Sequence, residues 1–158
     1  MSREQDLTAK RTPTQIPLIY TGPGMPLASG SRIGHYEIVG SLGAGGMGEV
    51  YRAVDFTLGR HVALKLLPAD LQSDAERLRR FEQEARAASA LNHPAIVAIY
   101  ELGRVTEQGG RPYISMELVE GRTLRQVLTH GPLPPRQALQ IASQIAGALA
   151  KAHAAGVV

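Results

Sequence analysis

A chain of 158 residues has room for one domain with a core of its own, and its 44% apolar and 20% charged residues are ordinary for a soluble globular protein. It has no cysteine, which excludes a disulfide framework and a thiolate metal site and fits a reducing cytosol. The net charge of +3 is too small and too scattered to point to nucleic acid.

The opening "MSREQDLTAKRTPTQ" is polar and lacks the apolar region of a signal peptide. Residues 1–34 hold four prolines, several glycines and many Ser and Thr without periodicity, which predicts a flexible tail. From Tyr36 the pattern changes. "YEIVGSL" and "EVYRAV" are β-branched and aromatic runs on either side of a glycine-rich stretch, and they read as strand, loop, strand. "RHVALKLL" is a third strand, ended by Pro68. "SDAERLRRFEQEARAASALN" switches to a helical period. Ser73 or Asp74 can cap it, and Leu78, Phe81, Ala85, Ala88 and Leu91 form its apolar stripe.

Two further strands follow, "AIVAIYELG" and "RPYISMELV", joined at Gly109 and Gly110. "TLRQVLTH" is a short helix and "GPLPP" breaks it. Pro134 and Pro135 then open a long helix, "RQALQIASQIAGALAKAHAAG". Residues 141–158 are low in polarity, but Gln144, Lys151 and His153 interrupt them, so no membrane segment is expected. Three strands, a helix, two strands and then helices make an α+β order rather than an alternating one.

The stretch "LGAGGMGEV", residues 42–50, contains G-x-G-x-x-G. A dinucleotide-binding turn needs a helix directly after it and an acid about 20 residues on. Here a strand pattern follows and no acid stands at that offset. The outer frame also fits a P-loop, but Glu49 and Val50 occupy the positions that need Lys and Ser or Thr. A glycine-rich hairpin turn remains open on the loop alone.

Lys65 lies inside an apolar strand. Alternation puts Ala63 and Lys65 on one face and Val62, Leu64 and Leu66 on the other. A lysine there needs a partner or a solvated cleft, or it is an edge-strand charge. Glu84, between Phe81 and Ala88 on the helix, is either a solvated boundary residue or an inward partner. An inward Lys and an inward Glu would form an ion pair that aims a positive charge at phosphates.

Taken in order, these residues resemble the N-terminal half of a protein kinase domain, specifically that of bacterial serine/threonine kinases of eukaryotic type. The resemblance rests on G-x-G-x-x-G-x-V at 43–50, V-A-L-K at 62–65, Glu84 on the next helix, "NHPAIV" at 92–97 and "MELVEGRTL" at 116–124, and it covers residues 36–158. It implies an N-lobe with a five-stranded antiparallel sheet and one long helix at 35–117. The hinge and the first helices of an incomplete helical C-lobe would follow at 118–158.

The same resemblance assigns roles. The loop from Leu42 through Gly43, Ala44, Gly45, Gly46, Met47 and Gly48 would drape over the phosphates of ATP, where glycines let the backbone approach. Lys65 would bind the α- and β-phosphates and Glu84 would hold Lys65. Val50 and Ala63 would roof the adenine with Leu124 below it. Backbone groups of Glu117 and Val119 would bond its edge, and Met116 would stand behind as gatekeeper. The five histidines are scattered, and none is assigned to a metal.

In this family the catalytic loop H-R-D-x-x-x-x-N and the D-F-G motif come next, and the 158 residues contain neither, so the ligands for Mg²⁺ are missing. The expectation is a cytoplasmic protein kinase whose complete domain transfers the ATP γ-phosphate to Ser or Thr of protein substrates, with this chain inactive by itself. The alternative is a kinase-like fragment that binds nucleotide or protein without catalysis. The long helix is apolar on several sides, which predicts an exposed apolar surface.

Overall fold

The computed structural model describes residues 26–45, 48–68, 74–105 and 110–157. Its elements are strands β1 (Arg32–Ile33), β2 (Tyr36–Gly45), β3 (Gly48–Asp55), β4 (Arg60–Leu66), β5 (Ile99–Val105) and β6 (Arg111–Glu117), and helices α1 (Ala75–Ser89), α2 (Leu124–Leu128) and α3 (Pro135–Ala154). All six strands join one sheet in the order β1-β2-β3-β4-β6-β5, with every neighbouring pair antiparallel. The α+β order expected from the sequence is present, and β2 to β6 are the five expected strands.

The sixth strand corrects the five-stranded expectation, and it also moves the boundary of the tail. Residues 26–33 pack on the sheet instead of leaving it. Leu27 and Ile33 are buried, and the Leu27 N–H donates to the Tyr51 hydroxyl at 2.9 Å. Gly30 and Gly34, with φ of 86° and 54°, turn the segment back so that β1 pairs with β2. Two apolar residues six positions apart, among Gly, Ser and Pro, show no period in the sequence. The rest of the expected tail lies outside the described residues.

The core sits inside the curl of the sheet. Val62, Leu64 and Leu66 of β4 point into it beside Ile38, Tyr51 and Ala53. The alternation read from the sequence therefore holds. Tyr36 of β2 and Tyr113 of β6 meet edge to face, with ring centroids 5.9 Å apart. Both hydroxyls donate to Glu101 of β5, at 2.6 and 3.0 Å. β2 and β5 are not neighbours in the sheet, so Glu101 ties one end of the curl to the other. Gly103 permits this closure, because a Cβ there would fall 2.3 Å from the Tyr113 ring.

The β3–β4 turn is held by Asp55, whose buried carboxylate accepts the N–H groups of Thr57 and Leu58 at 2.9 and 3.1 Å. α1 begins after Asp74, which accepts the Glu76 N–H at 3.1 Å, and lays Leu78 and Ala85 inward. Thr123 caps α2 in a reciprocal box with Gln126. α3 has no buried residue, and Leu139, Ile145 and Leu149 are exposed, as its all-round apolar pattern predicted. Among the described residues no helix is long and apolar enough to cross a membrane.

Burial, and then the Glu101 carboxylate, push the Tyr36 hydroxyl from 10.0 up to about 12; the same two causes raise Tyr113. Unfolded tyrosine gives up its proton near pH 10, while the folded side chain keeps it to higher pH. This part of the stability is therefore complete below pH 10 and is lost as pH rises through 12. Unfolding free energies from urea melts are expected to fall along this slope between about pH 10 and 12, and to fall less steeply in the Tyr36→Phe, Tyr113→Phe double variant.

Candidate functional site

The registers of β3, β4 and β6 build the site. Val50 lies opposite Lys65, and Lys65 opposite Ile114. One row further along, Arg52, Ala63 and Met116 lie opposite one another. Residues directly opposite share a face, and so do Ala63 and Lys65, which are two apart. Val50, Ala63, Lys65 and Met116 are thus brought together on the face away from Val62, Leu64 and Leu66. Gly43 of β2 lies opposite Val50 and carries the first row to the glycine loop.

Leu42, Gly43, Ala44 and Gly45 are all exposed on the first leg of that loop. A Cβ at Gly43 or Gly45 would meet nothing within 4 Å, so the space beside the loop is open. Gly46 and Met47 lie outside the described residues. On the second leg, Gly48 has φ 105°, and a Cβ there would stand 2.1 Å from the Leu66 carbonyl oxygen. Only glycine lets β3 start this close to the end of β4.

Lys65 is half-buried and has no ion pair or hydrogen bond among the described residues. The expected pair with Glu84 is not formed, and Glu84 is exposed. The reason lies in helix geometry. At 100° per residue, Glu82 and Glu84 sit on opposite flanks of the apolar stripe, each about 80° from its centre. α1 rests on β5, and Glu82 takes the flank facing that strand, where it meets Arg104 at 2.8 Å. The other flank, with Glu84, is left to solvent.

After β6 the chain leads through Glu117 and Val119 to α2. The Glu117 N–H is taken by the Ala98 carbonyl at 2.9 Å, so a ligand edge could use only its carbonyl. Val119 and Leu124 are exposed, on either side of Gly121.

Sequence reasoning did not find one group. The Glu49 carboxylate, next to Gly48, accepts from Arg111 Nη2 at 3.0 Å and from the Tyr51 hydroxyl at 3.2 Å. Arg111 Nε donates to the Leu67 carbonyl at 2.6 Å. Arg111 is buried, and the pair is separated by 62 residues. No local spacing announces such a pair.

Two substitutions separate these features. Glu84→Gln is expected to leave the unfolding free energy within about 0.5 kcal/mol of wild type, since an exposed, unpaired side chain is changed. Gly48→Ala is expected to cost roughly 1–3 kcal/mol, because positive φ and the Leu66 carbonyl both oppose a Cβ. Urea midpoints measured side by side check both.

Comparison with known proteins agrees with this arrangement. The family described as protein kinase domain matches residues 36–158. The serine/threonine-protein kinase PrkC of Bacillus subtilis is 50% identical over 126 residues, which are 78% of this chain and 19% of PrkC. The serine/threonine-protein kinase PknB of Mycobacterium leprae is 48% identical over 125 residues, 78% of this chain and 20% of PknB. The chain therefore spans about a fifth of the length of the curated relatives it matches. Among solved structures, the Mycobacterium tuberculosis PknI kinase domain superposes with a TM-score of 0.72 at 34% identity, over 83% of this chain and 52% of that one. The chain belongs to the protein kinase family, among the relatives of bacterial serine/threonine-protein kinases.

Proposed function

We propose that this chain is the ATP-holding part of a serine/threonine protein kinase, and that it binds ATP between the 42–50 loop and the face carrying Lys65. The observation that supports this most is Lys65 itself. It is a half-buried ammonium without a protein partner among the described residues, set in register with Val50, two residues from Ala63, and one strand away from an open glycine loop. Such a cation calls for an anion, and a triphosphate supplies one.

On this reading Lys65 binds the α- and β-phosphates. The backbone N–H groups of the loop face the phosphates, and Val50 and Ala63 cover the adenine. Leu124 lies beneath it, the Glu117 carbonyl and Val119 backbone bond its edge, and Met116 closes the back. Glu84 positions Lys65 once α1 turns its solvent flank toward β4. ATP contributes a γ-phosphoryl group for transfer to a Ser or Thr hydroxyl of a protein substrate, in a cytoplasmic setting. Mg²⁺ is expected with the complete domain, where one or two carboxylates and the ATP phosphates would hold it; among the described residues no group of three His, Asp or Glu could hold a metal ion. On this reading the 158 residues alone act as a nucleotide-binding module.

Titration with the fluorescent analogue mant-ATP is expected to give saturable binding that Lys65→Ala weakens on the order of tenfold. The same protein is expected to incorporate no γ-phosphate into a Ser/Thr substrate. Absence of saturable binding overturns the ATP reading, and incorporation that Lys65→Ala abolishes overturns the inactivity of this chain.

A further inference from the structure

β6 and α2 are joined by residues 118–122, and both ends of this connection are fixed. At one end the Glu117 N–H donates to the Ala98 carbonyl at 2.9 Å, and the Glu117 carboxylate accepts the Ala98 N–H at 3.2 Å. At the other end the Thr123 and Gln126 side chains close the cap of α2. Between them, among the described residues, one hydrogen bond is made. Arg52 Nη2 donates to Glu120 Oε1 at 3.0 Å, across 68 residues of sequence. Gly121 follows directly with φ 129°, a backbone conformation that side chains other than glycine disfavour.

Arg52 belongs to the face of the sheet that carries the site. It lies opposite Ala63 and two residues from Val50, while its neighbours Tyr51 and Ala53 are buried on the other face. Its Nε is buried, so the stem is held against the protein and only the tip of the guanidinium reaches the connection. An exposed ion pair is worth little to the fold as a whole. Here it has little to oppose, because no other hydrogen bond or ion pair among the described residues holds 118–122. An energy that is small beside the stability of the sheet is then enough to decide where this short connection lies.

We propose that Arg52 and Glu120 are positioning residues for the base end of the site: their ion pair draws the connection toward the sheet and sets the backbone of Val119, the residue before Glu120, against the edge of the adenine. The use of the pair rests on the ATP reading, whereas the ordering of 118–122 is a property of the free protein. Arg52 acts through Glu120, so the effect falls on the base and spares the triphosphate at Lys65.

Two measurements on the 158-residue protein test this. Amide order parameters from NMR relaxation, taken without nucleotide, are expected to fall at 119–121 from about 0.85 to below about 0.6 in Arg52→Met and in Glu120→Ala, with Tyr113, Ile114 and Ser115 unchanged. Arg52→Met keeps an apolar stem against the sheet and removes the charge. Mant-ATP affinity is expected to fall about two- to fivefold in both variants, while inorganic tripolyphosphate, measured by displacement of mant-ATP, keeps its affinity. The charge-swapped variant Arg52→Glu, Glu120→Arg is expected to restore the order parameters and most of the mant-ATP affinity. Unchanged order parameters at 119–121 overturn the proposal. So does an equal loss of mant-ATP and tripolyphosphate affinity, or a swapped variant no better than the single ones. If wild type binds no mant-ATP, the ATP reading falls, and the order parameters alone decide whether the pair holds the connection.

Discussion

Glu101 accepts hydrogen bonds from two tyrosines on two other strands, and the curl of the sheet depends on it. A flat six-stranded sheet would leave the apolar face of β4 uncovered. With β2 and β5 drawn together, Val62, Leu64 and Leu66 share one interior with Tyr36 and Tyr113. Only then is the opposite face of β4 free to display Ala63 and Lys65. His35 stands 3.4 Å from Glu101 and 3.8 Å from Asp55, so the turn before β2 adds a titratable group to the same junction.

Much of this was legible in the residues. The alternation of "RHVALKLL" assigned both faces of β4 correctly, because a strand with one buried face has little freedom of register. The short helix read from "TLRQVLTH" is present as α2, and the structure adds its Thr123 cap. β1 was not legible: it is two residues long and gains its stability from Leu27 and Ile33 reaching a core assembled elsewhere. The grip of Arg111 on Glu49 was not legible either. In the sequence, Glu49 serves only to rule out a P-loop lysine, and its partner is brought to it by the β3–β4–β6 order.

Glu84 illustrates a subtler limit. Its spacing from Phe81 and Ala88 places it beside the apolar stripe, but a stripe has two flanks. Which flank faces a neighbour is decided by the strand that the helix docks on, and here Arg104 of β5 pairs with Glu82. The pairing of Glu82 leaves Glu84 and Lys65 both without partners among the described residues. The two charges that the family resemblance couples are thus available to each other.

Lys65 has one more consequence, and it concerns how the chain assembles. β4 is paired on both sides, to β3 and to β6, so it must be threaded in the correct alignment twice. A shift by a single residue would drive an ammonium into the interior and push three aliphatic side chains outward. Aliphatic residues alone would tolerate such an error far better. The charge of Lys65 therefore proofreads the alignment of the strand that carries it.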